Sequence, residues 1–302
     1  MKIGRYAGVT DTGRRRTRNE DALVVRPPLF AVADGMGGAR AGEIAARLAA
    51  EALASARADV AGEDGVAALI EEANRRIWER SLADPATAGM GTTVTAALVD
   101  AAGGTVSFGH VGDSRAYRLR DGVLEQLSTD HSLVAELVES GVLTPEEAEH
   151  HPQRSAITRA LGTDPAVEVA GFTVDAQPGD LFLLCSDGLS AMLGDDAIAE
   201  AIESAGRDPR AAGEALVAAA NARGGEDNIT VVLFELVEGD PESPPPPPAN
   251  EPSHEPVTAT LSEPATDVRT HGAGPGGRIT SLALIAAVLA LGLLGLYWGI
   301  GR

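Results

Sequence analysis

Four aspartates of this sequence stand where a short apolar segment meets a turn. Asp34 follows Leu-Phe-Ala-Val-Ala, Asp113 follows Thr-Val-Ser-Phe-Gly-His-Val-Gly, and Asp187 follows Leu-Phe-Leu-Leu-Cys-Ser. Asp227 precedes Asn228 and the apolar segment Ile-Thr-Val-Val-Leu-Phe-Glu-Leu. One such aspartate usually caps its own turn. In a fold of stacked sheets the strands end at a common rim, so four such aspartates would be expected to lie together there.

Grouped carboxylates repel one another unless they are protonated or neutralised by cations. No Cys/His cluster lies nearby in the sequence, so the available ligands are oxygen atoms, which suit Mg²⁺ or Mn²⁺ and disfavour Zn²⁺. Gly35 follows Asp34 and lets the backbone approach closely enough for a carbonyl oxygen to join the ligands. The residues alone therefore predict a site for Mn²⁺ or Mg²⁺ at this rim.

The order of the predicted elements indicates an α+β fold. Alternating or apolar runs predict strands near residues 5–9, 22–25, 29–33, 92–99, 105–110, 115–119, 167–174, 181–184 and 229–236. Amphipathic stretches predict helices over residues 43–57 and 66–82, and N-terminal capping signals predict further helix starts at Thr144, Asp195 and Asp208. Since strands and helices do not alternate regularly, we expect two stacked antiparallel β-sheets in a sandwich between helical layers.

Residues 1–238 are expected to form one globular domain, and the sequence changes character after it. Residues 239–278 are rich in proline and poor in large apolar residues, which predicts an extended, disordered linker. Residues 279–300 carry no charge and, at about 1.5 Å per residue, are long enough as a helix to cross a bilayer. We expect a single transmembrane anchor there, in preference to a buried core helix.

The composition indicates which side of the membrane the domain occupies and which partners it avoids. The first ten residues contain no apolar export segment, and Cys185 is the one cysteine, so no internal disulfide is possible. We therefore expect a single-pass protein of the cell membrane whose globular domain faces the cytoplasm. The net charge of −20 argues against a nucleic-acid partner.

Several short motifs of residues 1 to about 236 occur in the order found in one enzyme family. They are Arg-x-x-Asn-Glu-Asp at 16–21, Asp-Gly-Met-Gly-Gly at 34–38, Gly-Thr-Thr at 91–93, Gly-Asp-Ser-Arg at 112–115, Ser-Asp-Gly-Leu at 186–189 and Asp-Asn-Ile-Thr at 227–230. In this ordered set the chain resembles the metal-dependent, type 2C serine/threonine protein phosphatases, in a bacterial, membrane-anchored form. The resemblance implies a sandwich of two antiparallel sheets flanked by pairs of helices, and makes residues 1–238 a catalytic domain.

The resemblance also implies a set of metal ligands. By motif match, Asp34 bridges two Mn²⁺ or Mg²⁺ ions, and the Gly35 carbonyl binds one of them. Asp187 and Asp227 hold the other ion, and Asp113 with Asp187 matches a third metal position of bacterial members. Two such cations lower the pKa of a bridging water, and the resulting hydroxide attacks phosphorus in line without a phosphoenzyme.

Other matched residues are expected around these ligands. Arg16 falls on the arginine that grips the substrate phosphate through a planar fork, which a lysine lacks. Asp21 falls on an acid that contacts metal-bound water, and Asn228 is expected beside it, behind the ligands. The expected catalytic residues are Arg16, Asp34, Asp187 and Asp227.

The general acid and the substrate contacts are less directly implied. Eukaryotic members carry a histidine where this chain has Met36, so a metal-bound water is the first choice of general acid and His131 the second. Residues 128–161 resemble the mobile flap of the family. Contacts to a phosphopeptide are expected there from His131, His151, Arg154 and Arg159.

The expected function is hydrolysis of phosphoserine and phosphothreonine on proteins, opposing a cytoplasmic serine/threonine kinase, including one anchored in the same membrane. One alternative is a catalytically idle, membrane-tethered scaffold that binds phosphoproteins, which retention of the four aspartates and Arg16 disfavours. Another is a phosphatase dedicated to an anti-anti-sigma factor. That alternative would use the same site, so only its substrates would distinguish it.

Overall fold

The computed structural model describes residues 1–36, 41–55 and 60–241. Most of the predicted linker and the whole predicted transmembrane segment, residues 279–300, lie outside the described residues. In the described ranges, no helix is both long and apolar enough to cross a membrane. The predicted domain boundary at residue 238 stays a prediction.

Ten strands form two five-stranded sheets in which every neighbouring pair is antiparallel. The strands are β1 (Lys2–Asp11), β2 (Ala22–Arg26), β3 (Leu29–Ala33), β4 (Gly35–Met36), β5 (Gly91–Thr92), β6 (Val94–Asp100), β7 (Thr105–Val111), β8 (Arg115–Arg120), β9 (Val123–Gln126), β10 (Ala170–Asp175), β11 (Leu181–Cys185) and β12 (Ile229–Val237). The first sheet has the order β1-β12-β11-β8-β9 and the second has the order β10-β7-β6-β3-β2, while β4 and β5 pair separately.

Helices cover the outer faces of both sheets. The described helices are α1 (Ala41–Ala54), α2 (Gly62–Ala83), α3 (Leu133–Glu139), α4 (Pro145–Glu149), α5 (Asp187–Ser190), α6 (Asp195–Ser204), α7 (Pro209–Ala222) and a 3-10 turn at Pro85–Thr87. α1 and α2 pack on the second sheet, and α6 and α7 pack on the first. The predicted sandwich between helical layers is therefore confirmed for the described residues.

The strand β3 shows why the apolar runs lack a polar face. All five of its residues are buried. Leu29, Ala31 and Ala33 face the α1–α2 layer, while Phe30 and Val32 face the other sheet. A strand that is covered on both faces has apolar residues at every position. Asp34 follows directly after this strand, at the rim of the sheet.

Stacked aromatic rings join the two sheets. Phe30 of the second sheet lies 4.3 Å from Phe234 of the first, ring centre to ring centre, and Phe234 lies 5.1 Å from Phe182. All three side chains are fully buried. The contacts fix how the sheets face one another, and so they fix the relative positions of the strand ends on the rim.

Three details of the predicted elements were wrong. Asp195 is the first residue of α6, and Gly194 is its N-cap, because the extended backbone of Gly194 precedes the helical residues. The run at 92–99 is divided at Thr93, whose N–H binds the carbonyl of Asp34 and so leaves the ladder. Strand β10 begins at Ala170, three residues later than predicted, since Val167 and Val169 pack on the α1–α2 side.

Candidate metal centre

The candidate site is assembled from both sheets. Asp21 precedes β2 and Asp34 follows β3 in the second sheet, whereas Asp187 follows β11 and Asp227 precedes β12 in the first. Asp113 lies in the segment where the chain crosses from β7 in one sheet to β8 in the other. The expectation that strand ends bring the aspartates to one rim is therefore met by this topology.

The backbone of Asp34 is clasped by two threonines. Its N–H donates to Thr93 Oγ1 at 3.0 Å, and its carbonyl accepts from Thr93 N at 2.9 Å and Thr92 Oγ1 at 2.8 Å. The Thr93 hydroxyl also lies 2.7 Å from the hydroxyl of Ser114, in the turn of Asp113. The Gly-Thr-Thr motif thus fixes Asp34 and links it to the Asp113 turn.

The aspartates of the rim are close enough to raise one another's pKa. Burial, followed by the charges of Asp21 and Asp187, holds the pKa of Asp34 well above its usual range. Burial, and then the charge of Asp187, raises the pKa of Asp113 to about 7. Burial and the charge of Asp227 raise the pKa of Asp187 as well. Each carboxyl therefore disfavours ionisation of its neighbours, a condition that bound cations would reverse.

Three of these carboxyls also have a buried oxygen without a partner. The Oδ1 atoms of Asp21, Asp113 and Asp187 make no hydrogen bond within the described structure. A buried acceptor without a donor is costly, and buried polar atoms are rarely left in this state. These oxygens are available to a cation or to water that a cation holds.

The carboxyls are better suited to an ion that keeps several of its water ligands than to an ion coordinated by protein atoms alone. Among the residues that the structure describes, no group of three or more His, Cys, Asp or Glu side chains is arranged so that it could by itself hold a metal ion. Mg²⁺ keeps several waters and is commonly bound through one or two carboxylates, so an open set of carboxyls is compatible with it. The oxygen-only donor set and the unpartnered oxygens therefore fit Mg²⁺ or Mn²⁺.

The carboxylate of Asp21 accepts hydrogen bonds from two hydroxyls whose role was not predicted from the sequence. Its Oδ2 accepts from Thr230 Oγ1 at 2.6 Å and from Ser186 Oγ at 2.9 Å. Burial raises its pKa to about 7, against the opposing effect of these two hydrogen bonds. Their positions inside the Ser-Asp-Gly-Leu and Asp-Asn-Ile-Thr motifs were the available signal.

Arg16 is paired with one of the predicted metal ligands. Its Nη2 donates to Asp227 Oδ2 at 2.6 Å, and this hydrogen bond raises the pKa of Arg16. The two side chains are 52% and 31% exposed, so both remain accessible to solvent. The structure thus brings Arg16 to the site, but bound to Asp227.

Asn228 fastens the loop that carries Arg16. Its Nδ2 donates to the carbonyls of Thr12 and Arg18 at 2.9 and 2.8 Å, and its Oδ1 accepts from Glu20 N at 2.7 Å. The side chain is buried. Its position behind the ligands was expected, while this role as a clamp on residues 12–20 was not.

Gly35 is required by close backbone packing. A Cβ at this position would overlap the carbonyl oxygens of Gly42, in the first turn of α1, and of Glu20. The chain therefore passes between two backbone segments immediately after Asp34. Coordination by the Gly35 carbonyl stays a prediction.

His131 has an anchoring contact at the base of the predicted flap. Its N–H donates to the Gly112 carbonyl at 2.7 Å, and its Nδ1 accepts from Gly112 N at 3.1 Å. Its ring lies 4.8 Å from that of His110. Burial, followed by the charge of Arg159, lowers the pKa of His131, which makes it a weak candidate for general acid.

Of the other predicted flap residues, Arg159 lies beside His131, with Nη1 3.4 Å from His131 Nε2, whereas His151 and Arg154 have other surroundings. His151 Nδ1 accepts from Gln153 N at 3.2 Å, and the Arg154 side chain is exposed. Arg159 Nη2 lies 3.4 Å from Glu168 Oε2, beside a cavity of about 100 Å³. Their contacts to substrate stay predictions.

Cys185 is excluded as a nucleophile, as expected. It is fully buried in β11, and burial raises the pKa of its thiol to about 12. A thiol of this kind is almost entirely protonated near neutral pH.

Comparison with known proteins identifies the family. The sequence model of the family described as protein phosphatase 2C matches residues 12–219. The chain belongs to the protein phosphatase 2C family. Its protein phosphatase 2C motifs, and the aspartates that they bring to the rim, lie almost entirely within the matched range.

Relatives and solved structures of this family resemble the chain closely. The serine/threonine protein phosphatase PstP of Mycobacterium tuberculosis is 44% identical over 241 residues, covering 78% of this chain but 46% of PstP. The chain thus spans a little under half the length of that relative. The serine/threonine phosphatase stp of Listeria monocytogenes is 40% identical over 238 residues, covering 75% of this chain and 93% of stp.

A solved protein phosphatase 2C structure bears on the metal. The catalytic domain of the phosphatase PstP, in complex with two manganese ions, is 39% identical and superposes with a TM-score of 0.71. The match covers 78% of this chain and 98% of that one. A member of the same family and fold therefore binds two manganese ions.

Proposed function

We propose that the chain hydrolyses phosphoserine and phosphothreonine on proteins at a centre of two Mn²⁺ or Mg²⁺ ions. The observation that carries this proposal is a group of mutually repelling carboxyls at the rim of a protein phosphatase 2C sandwich, three of which have a buried oxygen without a partner. The named relatives are serine/threonine phosphatases, which supports the same reaction.

Each residue of the site has a role in this proposal. Asp34 and the Gly35 carbonyl would hold one ion, and Asp34, Asp187 and Asp227 the other, while Asp113 with Asp187 offers a third position. Bound cations would supply an activated water and neutralise negative charge on the phosphoryl group. The ligand carboxylates must be ionised to bind them, so metal binding displaces protons from these groups.

Arg16 orients the substrate in this reaction. Its guanidinium presents parallel N–H donors to two phosphoryl oxygens, and it neutralises charge as the bond to the leaving oxygen breaks. Since Arg16 now donates to Asp227, a cation bound to that aspartate would compete with the guanidinium and free it for phosphate. We assign protonation of the leaving serine or threonine oxygen to water, since Met36 has no proton to give and burial lowers the pKa of His131.

We further propose that the catalytic domain is tethered to the cytoplasmic face of the cell membrane by residues 279–300. The uncharged segment and the proline-rich linker before it support this proposal. Tethering raises the effective concentration of substrates in the same membrane, so phosphorylated membrane kinases are suitable partners. Recovery of the full chain in the membrane fraction, and of residues 1–238 in the soluble fraction, would support the anchor.

The test of the reaction uses the full chain in detergent. We expect phosphate release from a phosphothreonine peptide with Mn²⁺, and loss of that release with EDTA. Asp187→Asn should lower the rate at least about 100-fold and weaken Mn²⁺ binding by calorimetry, because a ligand charge is lost. Asp196→Asn, at an exposed position of α6, is the matched control and should retain both.

Absence of turnover with several phosphopeptides, in a folded chain that binds Mn²⁺, would contradict the proposal and favour the scaffold alternative. Equal turnover in Asp187→Asn would contradict the assigned site.

A further inference from the structure

The loop before β2 concentrates positive charge in a strongly acidic chain. Residues 14–18, here called the arginine loop, contain four arginines, and all five residues are exposed. Most described arginines bind a carboxylate or a carbonyl oxygen. Those with neither a side-chain hydrogen bond nor an ion pair in the described ranges are Arg14, Arg15, Arg18 and Arg154. Three of these four unpaired guanidinium groups lie in the arginine loop.

The backbone of the arginine loop is fixed beside the candidate site. Arg14 N and Arg15 N both donate to the Gly225 carbonyl, at 2.7 and 3.2 Å, and the Arg18 carbonyl accepts from Asn228 Nδ2. Gly13 has a φ of 78°, and a Cβ there would overlap the carbonyl oxygen of Asp227. The loop is therefore pressed against the segment that carries Asp227.

Arg16 connects the arginine loop to the predicted phosphate position. It is the member of the loop that binds Asp227, and Arg15 and Arg18 lie one and two positions away from it. Successive residues of an extended peptide are about 3.5 Å apart. Charges one or two residues from the scissile phosphate would thus fall within about 8 Å of Arg16, which is about one Debye length at physiological ionic strength.

A purely structural role for these arginines is disfavoured by their contacts. If they served only to offset the grouped aspartates, they would be expected to pair with carboxylates, as Arg16 does. Arginines elsewhere on the surface do form such pairs, for example Arg75 with Glu72 and Arg210 with Glu214, at 2.7 and 2.5 Å. The unpaired guanidinium groups of the loop are instead free for an external anion.

We infer that Arg14, Arg15 and Arg18 select phosphopeptides that carry further negative charge beside the scissile phosphate. The charge would come from a second phosphoryl group or from flanking Asp and Glu residues, since both present anionic oxygens to guanidinium donors. This inference rests on the proposed phosphatase function, and it names the substrate class of that site.

The test compares three phosphothreonine peptides on the full chain in detergent with Mn²⁺. One has neutral flanking residues, one has glutamates at the flanking positions, and one has a second phosphothreonine two residues away. We expect kcat/KM to be about tenfold higher for both charged peptides at low ionic strength, as the sum of several weak, exposed charge pairs. The preference should shrink as salt is added.

A triple variant tests which residues carry the preference. Arg14→Gln, Arg15→Gln and Arg18→Gln together should reduce the charged-to-neutral ratio of kcat/KM to within about twofold of one. The matched control removes three arginine charges from α2 by Arg75→Gln, Arg76→Gln and Arg80→Gln, and it should keep the ratio. A triple variant that keeps the tenfold ratio, or a natural chain without any preference, would overturn the inference.

The remaining outcomes are also decisive. No release from any of the three peptides contradicts the proposed function itself, whereas release at equal rates contradicts only the inference. A preference for one charged peptide alone, lost in the triple variant, supports the inference for that anion and overturns it for the other. If the triple variant does not fold, the salt dependence of the natural chain and the single variant Arg15→Gln decide. Binding of the loop to anionic vesicles without peptide preference would assign it to a membrane surface and overturn the inference.

Discussion

At the scale of single residues, the pair of Arg16 and Asp227 is the contact with the most direct consequence. The two side chains are predicted to bind different ligands, a phosphate and a cation, yet they bind one another in the structure. An exposed ion pair of this kind contributes at most about 1 kcal/mol to stability. When substrate and metal are present, this ion pair can therefore be replaced by contacts of Arg16 with phosphate and of Asp227 with a cation.

We predict that Arg16→Lys lowers kcat/KM for a phosphopeptide by about 10- to 100-fold, because lysine keeps the charge but lacks the bidentate donors. The midpoint of thermal unfolding should change little, since the pair is exposed. Arg47→Lys, which alters an equally exposed arginine paired with Glu51 at 3.7 Å, is the control. An unaltered kcat/KM in Arg16→Lys would remove Arg16 from the phosphate site.

The fully buried thiol of Cys185 gives a second test at this scale. We predict no reaction with a thiol-specific reagent at pH 8 in the folded chain, because the group is inaccessible and its pKa is raised to about 12. One equivalent should react after unfolding in guanidinium chloride. Rapid labelling of the folded chain would show that β11 opens readily or is packed differently.

At the scale of elements, hydrogen bonds from side chains to the backbone fix the position of the strand ends at the site. Thr93 lies between β5 and β6 in the chain, and its hydroxyl binds the N–H of Asp34 and the hydroxyl of Ser114. We predict that Thr93→Val destabilises the chain by about 1–3 kcal/mol, because it leaves buried donors without partners. It should also weaken Mn²⁺ binding, as measured by calorimetry.

The matched control for that change is Thr173→Val. Thr173 lies on the edge strand β10 and makes one hydroxyl contact, with Ser107 at 2.9 Å. It should cost less stability and leave Mn²⁺ binding unchanged. Equal loss of metal binding in both variants would mean that the Thr93 clasp has no specific effect on Asp34.

Two aspartates at helix starts make a matched pair for a third test. Asp208 caps α7 by accepting from Arg210 N and Ala211 N and also accepts from Arg5 Nη1 at 2.8 Å in an exposed ion pair, whereas Asp195 lies inside the first turn of α6 without a capping bond. We predict that Asp208→Ala lowers the free energy of unfolding by about 1 kcal/mol, and Asp195→Ala by a few tenths. Urea unfolding measures both, and the reverse order would contradict the assigned caps.

At the scale of the whole molecule, the grouped aspartates make stability depend on pH and metal. The pKa of Asp21 and that of Asp113 are raised to about 7, from an ordinary value of 3.8. Between about pH 4 and 7 the folded chain therefore retains protons that the unfolded chain has lost. Without metal, these groups make the free energy of unfolding fall as pH rises through this window.

We predict that Mn²⁺ raises the unfolding midpoint more at pH 8 than at pH 5, because ionised carboxylates bind it. In EDTA, Asp21→Asn should show a smaller loss of stability from pH 5 to pH 8 than the natural chain. Differential scanning fluorimetry measures both effects. A natural chain whose metal-free stability falls no more steeply than that of Asp21→Asn would contradict the raised pKa.

What the sequence predicted depends on how far apart the interacting residues lie. Apolar runs located nine of the ten strands of the two large sheets, and the aspartates at strand ends predicted a group of carboxyls at the rim, because each signal is local. The edge strand β9 was missed, since it has no fully buried residue. The bond from Arg16 to Asp227, and the clamp of Asn228 on residues 12–20, join segments about 200 residues apart, so no local pattern encodes them. The bond between Asp34 and Thr93 joins residues 59 positions apart, so the Gly-Thr-Thr motif alone did not reveal it.

The pairing of β1 with β12 has a consequence for how the protein is made. The first strand of the domain bonds to the last described one, with Thr10 opposite Thr230 and Asp11 opposite Ile229. A chain emerging from the ribosome therefore holds β1 unpaired until nearly the whole domain has been translated. Asp227, just before β12, is also among the last site residues to appear. Synthesis itself thus withholds the complete group of aspartates until β12 has been made and can pair with β1.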